Sequence, residues 1–105
     1  MKKFLLMAII ALTTAISALA IPRGMYCDDR GNNRVLVSDN GKEIYFLDSE
    51  GRVTRTLEVV SENSDGSFTT RETSTGIVHY NNEYWYEDGV CYLNLAWKRV
   101  TLHRQ

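Results

Sequence analysis

Six aromatic residues crowd between positions 80 and 97 of this chain: Tyr80, Tyr84, Trp85, Tyr86, Tyr92 and Trp97. Rings of this kind offer apolar contact area and, in Tyr and Trp, a hydrogen-bonding tip, which suits recognition of a protein or a glycan. Asn81, Asn82, Glu83 and Glu87 stand among them and could supply a polar rim. In an extended chain Tyr84 and Tyr86 point one way and Trp85 the other, so one of the two sets leaves the core. The candidate binding residues are therefore Tyr80, Tyr84, Trp85, Tyr86 and Trp97. The competing use of these rings is structural: they fill a thin sheet and pair across strands.

Other chemistry is sparse. His79 and His103 are far apart in sequence, and the only cysteines, Cys27 and Cys91, lack metal-site spacing. Asp28-Asp29 and Glu87-Asp88 could touch calcium, but no alternating acidic loop accompanies them. There is no nucleophile elbow, no zinc-protease motif and no phosphate-binding glycine loop, so no catalytic residue, metal or cofactor is expected. His79 reads as a half-exposed histidine on a strand; a triad around it would need a tertiary accident.

The compartment follows from residues 1–20. Lys2 and Lys3 precede an apolar run, which ends in Ser17-Ala18-Leu19-Ala20 with small residues where a signal peptidase reads. The run is short for a membrane span. The expected organisation is a signal peptide at 1–20 and one small β domain at 21–105, periplasmic or secreted and monomeric. Cleavage removes two lysines and no acid, leaving 10 basic against 13 acidic residues. Their interspersed order offers no basic stripe for nucleic acid or an anionic membrane. In an oxidising compartment Cys27 and Cys91 are expected to form a disulfide, worth roughly 4 kcal/mol in the chain-entropy model. Two free thiols or an intermolecular bridge are the alternatives.

The elements that would position these groups are strands. Glycines at 31, 41, 51, 66, 76 and 89 punctuate the domain, several after Asp or Asn, as in Asp39-Asn40-Gly41, Asp65-Gly66 and Asp88-Gly89. Such pairs tolerate the positive φ of tight turns. Between them lie β-forming runs at 34–38, 43–47, 52–60 and 67–72, the last polar enough for an edge strand. In the third run Val53, Leu57 and Val59 share one face, and Arg55 interrupts it near an open end of the sheet. Segments 77–80 and 84–86 form a hairpin around Asn81-Asn82. A final strand over 90–97 turns Cys91, Leu93, Leu95 and Trp97 inward. No window of the domain has helical periodicity. The spacing implies an all-β fold, a small antiparallel β-barrel or curled meander of about seven or eight short strands.

Tyr26-Cys27, then Ser74-Thr75-Gly76-Ile77-Val78-His79-Tyr80, then Trp85-Tyr86-Glu87-Asp88-Gly89 resemble, in order, the small β-barrel inhibitors of C-type lysozyme secreted by bacteria. The resemblance implies a Ser and a Lys set against the carboxylates of a lysozyme cleft. Thr75 interrupts the Ser-Gly step, Tyr80 comes one residue late, and Asp88 stands at the lysine position, where it would meet like charge. Residues 45–54 also resemble one unit of the Tyr-Asp hairpin repeats of large secreted shell proteins. The expected function is an exported non-enzymatic domain that binds a protein or glycan partner. Inhibition of a cell-wall hydrolase is the alternative, and a small hydrolase without an identifiable site comes third.

Overall fold

A computed structural model describes residues 21–105, which form eight strands in chain order. They are β1 (Gly24–Cys27), β2 (Arg34–Val37), β3 (Glu43–Leu47), β4 (Val53–Glu62), β5 (Ser67–Glu72), β6 (Val78–Glu87), β7 (Val90–Leu95) and β8 (Val100–Arg104). Each pairs antiparallel with the next, and β8 returns to β1, so the sheet closes into a barrel. The expected signal peptide lies outside the described residues. Among those described, no helix is long and apolar enough to cross a membrane.

Local chemistry makes the turns. Gly31, Gly41, Gly51 and Gly66 each donate an N–H to the carbonyl three residues back, at 2.9–3.1 Å. Those carbonyls belong to Asp28, Ser38, Asp48 and Asn63. Acidic and amide side chains in the turns also accept backbone N–H groups: Asp48 Oδ1 takes those of Glu50 and Arg52, both at 2.9 Å. Side-chain capture of this kind is what favours Asp and Asn in turns.

Between turns, alternation sends one set of side chains inward. Tyr26, Val35, Val37, Ile44, Leu57, Phe68, Leu93, Leu95 and Leu102 are almost wholly buried. They fill the lumen, as small barrels require. Three bulges bend the sheet, in the β3–β4, β4–β5 and β5–β6 pairings. An extra residue on one strand raises local twist and helps a short sheet curl shut.

Several expectations are corrected. Cys27 and Cys91 are free thiols, not a disulfide. Cys91 is buried in the lumen with Tyr26 Oη 3.5 Å from its sulfur. Cys27 follows Tyr26 on β1, so strand alternation turns it to the outer surface. The wall of the barrel separates the two thiols. The segment around Asn81-Asn82 is not a hairpin: β6 runs unbroken through it, and the positive φ of Asn81 (64°) belongs to a bulge. Strand β7 stops at Leu95, a turn carries Trp97, and β8 follows. Strand β5 pairs on both sides and is no edge. Val53 lies opposite Leu47 and is 55% exposed, because Thr54 is the extra residue of a bulge and reverses the alternation.

Candidate functional site

The barrel has two unlike ends. The turns after β1, β3, β5 and β7 gather at the first end; those after β2, β4 and β6 gather at the second. Beside the second end Ile21 is buried in the core cluster, and Tyr26 Oη donates to the Pro22 carbonyl at 2.7 Å. Burial, with the nearby Cys91 sulfur next in weight, holds the Tyr26 phenol well above its ordinary pKa.

The first end is open. A cavity of about 230 Å³ is lined there by Phe46, Thr54, Arg55, Trp97 and Lys98. Phe46 and Arg55 are opposite residues on β3 and β4, so both face inward near the rim. The turn after β7 brings Trp97 over them: Lys98 and Arg99 both donate N–H to the Leu95 carbonyl, at 3.0 and 2.9 Å, and Arg99 takes a φ of 54°. Asn82 anchors this turn from below. It is fully buried, its Oδ1 accepts the Ala96 N–H at 3.1 Å, and its Nδ2 donates to the carbonyls of Phe68 and His79, both at 3.0 Å. One side chain thus stitches the β5–β6 bulge to the tryptophan turn.

Around Trp97 the rings and charges interlock. Phe46 packs on it at 5.6 Å between centroids, and His79 stacks near-parallel at 5.6 Å. The Arg55 guanidinium lies 4.5 Å over its centroid and the Lys98 ammonium 5.6 Å, both within cation–π range. Arg55 also forms an ion pair through Nε with Glu72, whose side chain is only 9% exposed. Thr75 Oγ1 donates to the other oxygen of that carboxylate at 2.7 Å. The Trp97 Nε1–H is buried without an acceptor, a deficit that ordinarily costs about 1–3 kcal/mol. An aromatic lining and two cations make an arrangement that can hold an acceptor-rich group.

The five aromatic candidates do not form one patch. Tyr84 is half-buried against Phe68, and desolvation raises its phenol pKa. Trp85 is on the outer wall, stacked on Tyr92 with 10° between ring planes. Tyr86 is exposed at the second end, and Tyr80 is exposed on the outer face of β6. Trp97 alone lines the cavity. Phe46, Thr54 and Lys98 are additions that sequence reasoning missed. Arg55 carried the one visible signal, a cation on an otherwise apolar strand face. His79, read from sequence as half-exposed, is part-buried and bears on Trp97. No protein-family model, curated protein or solved structure matches this chain.

Proposed function

We propose that the chain is an exported, non-enzymatic barrel that binds a glycan at its first end. The observation that carries this reading is the cavity in which Phe46 and Trp97 stand beside Arg55, Lys98 and the Thr54 hydroxyl. Aromatic edges and faces accept the C–H surfaces of a sugar, and a few placed polar groups fix its hydroxyls. At about 230 Å³ the cavity is below the usual size of a whole small-molecule site, so it suits one ring of a longer chain. The leader-like residues 1–20 support export, where envelope or extracellular glycans are met. Calorimetric titration of oligosaccharides into the purified protein tests the reading. Binding should be lost in Trp97→Leu, with its melting curve as a folding control, and survive in Trp85→Ala. Failure of every oligosaccharide to bind at millimolar concentration would reject it.

Inhibition of a cell-wall hydrolase is the second reading, favoured by one observation. Ile77, Val78 and Tyr80 are exposed (53, 39 and 65%) and form an apolar shoulder beside the turn that holds Ser74. Exposed apolar patches commonly mark protein contacts. Lys98 stands at that same end, whereas Asp88 closes the opposite one. Lysozyme turnover with the purified protein added decides the matter, and no slowing at micromolar protein ends this reading.

A further inference from the structure

Resting on the glycan reading, we infer that the ring taken at the first end is an acidic sugar of uronate type, its carboxylate held between Arg55 and Lys98. Three observations converge on a negative ligand group. The first is charge. Residues 21–105 carry more acid than base, yet the rim of the cavity is cationic. Among the described residues Arg55 meets only one carboxylate, that of Glu72, while Lys98 and its neighbour Arg99 meet none. The second is the balance of donors and acceptors. Arg55 and Lys98 are both pure donors, and Thr54 is the lone side-chain acceptor of the lining. Every hydroxyl of a neutral sugar brings a donor along with its acceptor oxygen, whereas a uronate adds a group that only accepts.

The third is preorganisation. Arg55 is fixed from behind by Glu72, which Thr75 in turn braces, and from the side by the Trp97 ring. A guanidinium held this way loses little further freedom when it takes a carboxylate, and its planar fork matches that group. An acidic peptide side chain would satisfy the cations without using the aromatic edges that Phe46 and Trp97 add to the lining. Two aromatic walls beside two cations fit a ligand that carries an apolar face and an anion on one ring.

Trigalacturonate, its methyl ester and polyglutamate are the probes, titrated at low salt with Trp fluorescence and calorimetry as readouts. The free acid should bind about tenfold or more tighter than the ester, the range of a charged hydrogen bond, and should weaken as salt is raised. Lys98→Gln should lose severalfold in affinity for the acid alone. Arg55→Gln by itself strands the buried Glu72, so the double variant Arg55→Gln/Glu72→Gln is the fairer test; it should remove the preference for acid over ester. Equal binding of acid and ester overturns the acidic-sugar inference and leaves the glycan reading standing. If neither sugar binds, the acidic-sugar inference falls, and the glycan reading falls with it only if every other oligosaccharide fails as well. Polyglutamate competing as well as trigalacturonate would mean that the site reads charge alone, and that also overturns the inference.

Discussion

Single residues decide whether two strands can touch. A Cβ placed on Gly66 would lie 2.7 Å from the Tyr84 carbonyl oxygen, at a φ of +91°. The Gly66 carbonyl in turn accepts the Tyr84 N–H at 3.1 Å, so the two backbones cannot separate without breaking that bond. Gly66→Ala is therefore expected to cost about 2–4 kcal/mol. Gly31→Ala, in open space at φ +71°, should cost about 1 kcal/mol from conformation alone. Denaturant titration compares them, and equal losses would refute the steric account. Asn82 makes the same point with polarity. Asn82→Asp keeps its size but points a carboxylate at the carbonyls of Phe68 and His79, for an expected loss of about 2–3 kcal/mol and altered Trp fluorescence. Nothing in Asn81-Asn82 betrays this from sequence. Two asparagines in a row are a turn signal, and the need for a buried amide arises only where two strands run out of register. The cysteines misled for a related reason: an even pair in a small domain suggests a bridge, but strand alternation puts them on opposite sides of a wall. In the native protein a thiol reagent should label Cys27 readily and Cys91 only on unfolding, and a reductant should leave the melting temperature unchanged.

Turns are the elements whose construction was plainest in the sequence. The Asp and Asn residues paired with glycine do what their chemistry suggests, closing hairpins with backbone-to-side-chain bonds. Where reading failed was in the strands between, since a bulge leaves the composition of a strand untouched while reversing its faces. Val53 looked inward and is outward for that reason alone. The turn acids also carry a pH dependence. The Asn33 side chain holds the Asp28 carboxyl below its ordinary pKa; the Arg52 N–H does so for Asp48, and the Ser67 side chain for Asp65. A lowered folded pKa means that the stabilisation is complete above the unfolded value of about 4 and is lost as pH falls through the lowered values. Replacing all three by Asn should flatten the stability profile below pH ~4 and leave its slope near neutrality unchanged. A profile that kept the native acid slope would mean that other carboxylates dominate.

At the scale of the whole molecule the decisive feature is closure, and here the sequence was ambiguous. A curled meander and a barrel share the same run of strands and turns; only the return of the last strand to the first separates them. That return is slight. Strand β8 registers with β7 at four positions but with β1 at two, Tyr26 opposite Arg104 and Cys27 opposite His103. The Gln105 N–H adds a bond to the Met25 carbonyl at 2.8 Å, and His103 reaches the exposed Asp29 at 3.5 Å. An exposed ion pair of this kind contributes little. What holds the seam is therefore the inner face of β8, where Leu102 is fully buried. Leu102→Ala should cost about 2–4 kcal/mol, while Asp29→Asn should cost well under 1. Ending the chain after Arg99 would go further, because it removes that anchor and leaves β1 and β7 with unpaired edges. Open edges recruit other chains. The truncated protein should lose its cooperative melting transition and elute as aggregates in size-exclusion chromatography. A monomeric, cooperatively melting truncation would show that the meander stands without closing, and that the rim formed by the turns after β1, β3, β5 and β7 does not depend on the ring being complete.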